Sequence, residues 1–234
     1  MSDWQPLENN SEVITKYMAE IGLDDSQFVF QDLLSFDDWA QDMIQQPVLG
    51  LLFIYAITEV QEKHRHAEEA LLAQQGQEVP QDIFYMTQFA QNACGTVGCF
   101  HILGNLEGEH KQLIKQGSLL AKFYESAQGK DKDQIGHLFN GASDLQEKHT
   151  DAVKEGALDV EDHANTNNHF IAFVKRGGHI FELDGRKKRP INHGATTNES
   201  FLADACKVAQ EFIARDPENP NVGMIVLAPK PLEE

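Results

Sequence analysis

Apolar residues along this chain recur at two spacings, and each spacing predicts a kind of element. Helical spacing marks residues 11–22, with Ser11 and Glu12 as a start signal and Gly22 as a stop. It also predicts a short helix at 36–46, a charged and largely solvated helix at 59–75, further helices at 109–127 and 132–138, and an amphipathic helix at 197–214. Alternating or β-forming apolar runs predict strands at 27–31, 47–57, 169–175, 179–183 and, as a last central strand, 223–227. Helices on a mostly antiparallel sheet built from the later strands make an α+β fold. No repeat, low-complexity tract or Pro/Gly/Ser-rich linker divides the chain, so one domain spanning 1–234 is expected. Residues 141–168 are polar, charged and short of apolar anchors, which predicts a long connection of the kind that is functional or disordered.

The runs at 169–175 and 179–183 flank Arg176-Gly177-Gly178, whose permissive backbone predicts a tight turn. With Arg176-Gly177 as the two-residue loop, Lys175 pairs with Gly178 and opposed residue numbers sum to 353. His169 then faces Asp184. Directly opposed side chains lie roughly 5 Å apart at Cβ, a reach that lets a carboxylate accept an imidazole N–H. A slip of one residue in the register would turn the two to opposite faces.

A second segment carries complementary chemistry. Ile83-Phe84-Tyr85 reads as extended, Asn92 is a candidate helix N-cap, and Val97 to Leu106 is apolar enough for a buried helix. Glycines at 95 and 98 predict close backbone approach near its start. A thiol at Cys94 would sit on the first turn, where the helix dipole and a nearby imidazolium both favour the thiolate. The thiolate is the nucleophile, and attack on a carbonyl also needs donors for the oxyanion. The Cys94 backbone N–H and the Gln88 side-chain amide are the candidates.

These residues resemble the ubiquitin C-terminal hydrolase family of papain-like deubiquitinating peptidases. The family's nucleophile block is matched by Gln88, Asn92, Cys94, Gly95 and Thr96. Its base and orienter blocks are matched by His169-Phe170-Ile171, Gly178-His179, Glu182 to Arg186, and Asn192-His193-Gly194. Trp4 to Glu8 and Glu12-Val13 look like its opening segment, and 47–59 like an early core strand. The resemblance implies a papain-like topology with the nucleophile at a helix N-terminus and the base on the sheet. It implies Cys94 as nucleophile, His169 as general base and acid, Asp184 as orienter and Gln88 as oxyanion donor. It implies hydrolysis of amide, ester or thioester bonds at the C-terminal glycine of ubiquitin, with 141–168 crossing the cleft and limiting the leaving group to small or unfolded adducts. Lys188-Arg189 and Cys99 depart from the family pattern without touching the catalytic set.

Composition narrows the setting. The net charge of −18 argues against nucleic-acid or membrane partners and favours basic ones, such as the arginine-bearing tail of ubiquitin. Three cysteines without Cys-x-x-Cys spacing argue for a reducing compartment and against zinc, so neither metal nor cofactor is expected. No basic-then-apolar leader opens the chain, and the most apolar run, 49–57, is too short to span a bilayer. A cytoplasmic, monomeric protein is the expectation. Arg186 to Arg189 could add nuclear entry, although a basic loop is the plainer description.

Other candidates have plainer readings. Cys99 and Cys206 read as small buried hydrophobes, His64 and His66 as exposed, and His101 as a core residue. His163 with His169 lacks a second ligand cluster, and His179 and His193 have no assigned role. Two alternatives to the hydrolase stand: a non-catalytic ubiquitin-binding stabiliser or adaptor, which would have no need of Gln88, and a hydrolase of another ubiquitin-like tail.

Overall fold

The computed structural model describes residues 4–156 and 167–231. The elements follow in the order α1 (Ser11–Ile21), β1 (Phe28–Asp32), α2 (Asp38–Asp42), β2 (Gly50–Ala56), α3 (Glu59–Gln75), α4 (Cys94–Gly104), α5 (Leu119–Ala127), α6 (Lys132–Asn140), α7 (Ser143–Glu155), β3 (Asn168–Arg176), β4 (His179–Leu183), β5 (Ile191–Ala195), α8 (Phe201–Arg215) and β6 (Val222–Pro229). Among the described residues six strands form one sheet in the order β1-β6-β2-β3-β4-β5, and every neighbouring pair is antiparallel. The α+β class holds, but the sheet is fully antiparallel and includes the early strands β1 and β2 as well as the later ones.

Both faces of the sheet are covered, which is why its central strands read as continuous apolar runs. Along β3, Phe170, Ala172 and Val174 enter a core shared with α1, α4, α5, α6 and α7, while Ile171 and Phe173 enter a second core under α8. The long helix α3 lies outside this second core, with only Gln61 buried and its amide donating to the Phe212 carbonyl at 2.7 Å. Helix α4 can lie close to the sheet because Gly98 has no side chain: a Cβ there would stand 2.7 Å from Leu52 Cδ2.

Several element boundaries differ from the sequence expectation for local reasons. Asn10, one residue before Ser11, caps α1 by accepting from the Glu12 and Val13 N–H groups at 3.0 and 3.2 Å, and Ser11 bonds Asp32 instead. The expected helix at 109–127 is split. A 3₁₀ turn, Gly108–Leu113, comes first, and Ser118 then caps α5 through the Ala121 N–H at 3.1 Å. The short strand β5 has the polar sequence Ile191-Asn192-His193-Gly194-Ala195 and forms an edge, so no apolar pattern announced it.

The largest correction concerns 141–168. Its first half is α7, a helix whose buried residues Leu145, His149, Ala152 and Val153 recur at helical spacing within an otherwise charged stretch. Residues 157–166 of the expected crossover lie outside the described residues. Helix α7 joins the N-terminal segment to α4: His149 Nε2–H donates to the Gln5 carbonyl at 2.6 Å, and the Thr96 hydroxyl meets His149 Nδ1 at 2.9 Å. Burial holds this imidazole at a pKa of about 4, so it is neutral, as a ring bonded on both sides in this way needs to be. Trp4 completes the join, stacked on Phe139 and tilted against His149, each at 4.7 Å between ring centroids. Trp4→Ala is expected to lower unfolding stability by about 3–5 kcal/mol, read from the urea denaturation curve, because the cavity opens between three elements.

Candidate active site

Cys94 is the first residue of α4. Its predicted cap is replaced by a different device: Ala93 stands at the N-cap position and contributes no side-chain bond, while Asn92 turns the chain with φ 63°. Asparagine is among the few residues that tolerate this left-handed backbone. The change matters because an uncapped helix start leaves its backbone N–H groups free for a ligand. Cys94 is half-buried, and Cys99 and Cys206, as expected, are buried and inert in their cores.

The hairpin carries His169 and Asp184, but its register is not the expected one. Gly177-Gly178 forms the two-residue loop, with φ 57° and 77°, so both loop residues take the positive φ that a type I′ turn requires. Arg176 therefore pairs with His179 and Ala172 with Leu183, and opposed numbers sum to 355 instead of 353. Because the loop slid without changing length, the sum moved by two and the facing of each side chain was kept. Asp184 stands one residue beyond β4, diagonal to His169. Its Oδ1 accepts from His169 Nε2–H at 2.8 Å and from the Arg186 N–H at 2.9 Å. Tyr55 meets the imidazole edge-on at 5.9 Å.

With Nε2 committed to Asp184, Nδ1 is the ring nitrogen left for the thiol. Burial pushes the Cys94 thiol up, but the hydrogen bond and charge of His169, with the Phe170 and Gly95 N–H groups, bring it below its ordinary 9.0. Burial likewise opposes the imidazolium, yet the Asp184 charge and hydrogen bond, together with the thiol, push His169 up to about 10. Asp184 is held below the usual carboxylate range: burial opposes this, and the His169 charge, the His169 bond and the Arg186 N–H overcome it. The three groups thus favour a thiolate–imidazolium pair on a buried carboxylate.

Gln88 lies on the strap leading to α4. Its backbone N–H donates to the Gly185 carbonyl at 2.8 Å, and its carboxamide donates one N–H to the Ala90 carbonyl at 3.0 Å. A primary amide has a second N–H to offer. The sequence reading missed Tyr85, taken only as part of an extended apolar run. Its hydroxyl sits between the carbonyls of Asp184 and Lys187, at 2.5 and 2.6 Å. A phenol that must find a partner once buried was the available signal.

A thiol at a helix start, an imidazole and a carboxylate from an antiparallel hairpin, and helices on both faces of the sheet define a papain-like cysteine hydrolase. Comparison with known proteins narrows the class. The sequence model of ubiquitin carboxyl-terminal hydrolase, family 1, matches residues 4–214, and the chain belongs to this family of cysteine peptidases. A ubiquitin carboxyl-terminal hydrolase of Drosophila melanogaster is 34% identical over 227 residues, covering 97% of this chain and 98% of the relative. Ubiquitin carboxyl-terminal hydrolase 3 of Arabidopsis thaliana is 33% identical over 226 residues, covering 96% and 94%. Isozyme L1 of Rattus norvegicus is 32% identical over 212 residues, covering 91% and 92%. The fold is similar to that of the Trichinella spiralis UCH37 catalytic domain, crystallised with ubiquitin vinyl methyl ester, with a TM-score of 0.75 at 16% identity over 97% of this chain and 96% of that one.

The pKa directions make a test. In His169→Ala the imidazole's hydrogen bond and charge are lost while burial remains, so the Cys94 thiol is expected to titrate at higher pH. Iodoacetamide alkylation of Cys94 at pH 7 should slow about tenfold for each unit of that rise.

Proposed function

We propose that this chain hydrolyses bonds at the C-terminal glycine of ubiquitin, with Cys94 as nucleophile, His169 as base and acid, Asp184 as orienter and Gln88 as oxyanion donor. The observation that carries the reading is the 2.8 Å bond from His169 Nε2–H to Asp184, which leaves Nδ1 for the thiol and favours its thiolate. Support for ubiquitin comes from the names of the relatives and from the ubiquitin ester bound to the similar Trichinella spiralis domain. The net charge of −18 suits a substrate with a basic tail.

In this mechanism the Cys94 sulfur attacks the glycine carbonyl carbon. The oxyanion is held by the Cys94 N–H and the free N–H of the Gln88 amide. The tetrahedral adduct expels the amine or thiol, which leaves with the proton on His169 Nδ1. Neutral His169 then takes a proton from water as that water attacks the thioester, and the thiolate is regenerated with the carboxylate product. The three cysteines carry free thiols, which fits a reducing compartment, the cytoplasm or the nucleus.

Hydrolysis of a fluorogenic ubiquitin amide, and trapping by a ubiquitin with a C-terminal electrophile, test the reading directly. Cys94→Ala is expected to lose both while retaining ubiquitin binding. Turnover by the Cys94→Ala protein would overturn the assignment. Gln88→Ala is expected to lower turnover by about 10²–10³-fold, and an unchanged rate would remove Gln88 from the site. Asp184→Asn is expected to cost less than His169→Ala, because orientation is lost while the base remains.

A further inference from the structure

The four residues 184–187 touch more of the site than their number suggests. The Asp184 carboxylate holds His169, the Gly185 carbonyl holds the Gln88 backbone, and the Tyr85 hydroxyl is seated between the carbonyls of Asp184 and Lys187. The turn is closed by the Lys187 N–H on the Asp184 carbonyl at 2.8 Å. A displacement of this turn would move the orienter and the candidate oxyanion donor together.

What fixes the turn is a side chain with no place in the chemistry. Lys187 is 4% exposed, and its ammonium lies 2.5 Å from Glu182 Oε1 and 2.6 Å from Glu68 Oε2. Glu182 is wholly buried on β4, and its other oxygen accepts from His193 Nε2–H on β5 at 2.9 Å. Arg186 reinforces the clamp through Glu62 on α3, also at 2.9 Å. The charged or titratable groups near the ammonium are therefore Glu182, Glu68 and His64, then His193 through Glu182, and Asp184 and Arg186 within the turn. A buried ion cluster is often no more stabilising than apolar side chains of the same volume. A cluster of this kind points to fixed geometry more than to added stability.

We propose that Lys187 is a positioning residue for the reaction: its ammonium, held between Glu182 and Glu68, locks the 184–187 turn so that Asp184 meets His169 and Gln88 keeps its backbone bond. This rests on the hydrolase reading above. The Lys187 ammonium is spent on Glu182 and Glu68. It acts through the turn, and α3 thereby becomes part of the apparatus that aligns the site.

The test uses a charge-balanced pair of substitutions, Lys187→Met with Glu182→Gln. Removing one charge of each sign leaves the net charge around the thiol unchanged and takes away the anchor. On a fluorogenic ubiquitin amide, kcat is expected to fall about 10–100-fold with KM held within about twofold, the cost of a small misplacement of reacting groups. The pH midpoint of Cys94 alkylation should rise in the same variant. Glu68→Gln, which keeps the ammonium paired with Glu182, should move both readouts the same way by less. Wild-type kcat and thiol midpoint in the folded double variant overturn the proposal. Should that variant not fold, the same result in Glu68→Gln overturns it. Failure of the hydrolase reading looks different: the wild-type protein itself would then show no low thiol midpoint and no turnover.

Discussion

A carboxylate with no exposure to water, Asp184, sits at the centre of the proposed site, and the surrounding structure is organised to keep it charged. An ion taken out of water costs several kcal/mol unless donors replace the solvent. For Asp184 the donors are the His169 ring and the Arg186 N–H, both on one oxygen. The first comes from β3, and the second exists only beyond the end of β4. The chain has to leave β4 at Leu183 and turn sharply, and that turn must be held from several sides. Tyr85 and Gln88 bind it from the strap that leads to α4, and the acids of α3 bind it from the opposite side of the sheet. The imidazole's orientation is thus a property of two layers of the fold.

The position of the proposed nucleophile has a parallel logic. Cys94 begins a helix whose first turn is joined, through Thr96, to α7 and to the Gln5 carbonyl by one neutral histidine. The helix start stays uncapped, so the dipole and the free N–H groups act on whatever occupies the site. Close contact between α4 and β3, with Phe170 adjoining both His169 and the thiol, brings the two halves of the chain into register. A reactive sulfur is obtained by contact between distant segments, each rigid for its own reasons.

How much of this could be read in the sequence follows from the range of the forces involved. The helices with apolar stripes and the buried strands were legible, because burial imposes its period on the chain directly. The hairpin was legible in kind and wrong in register: two adjacent glycines and an arginine offered two loops of equal length, and only the need for positive φ at both positions decides between them. Helix α7 was hidden by its charge, since four buried residues in a polar stretch are a faint stripe. For the site, residue types and spacing indicated Cys94, His169 and Asp184. The roles of Tyr85 and of Lys187, read only as part of a basic loop, were hidden because two of their contacts, Tyr85 to the Lys187 carbonyl and Lys187 to Glu68, join residues 102 and 119 positions apart. Long-range polar pairing leaves no local trace.

The placement of β6 has a consequence for how the protein comes into being. This strand, the last in the chain, lies between β1 and β2, bonding to Phe28–Asp32 on one side and Gly50–Tyr55 on the other. During synthesis those two early strands emerge well before β6, which pairs with both of their facing edges. Unpaired strand edges invite pairing with other chains. The gap between β1 and β2 stays open to misassembly until β6 is made, long after Cys94 has left the ribosome.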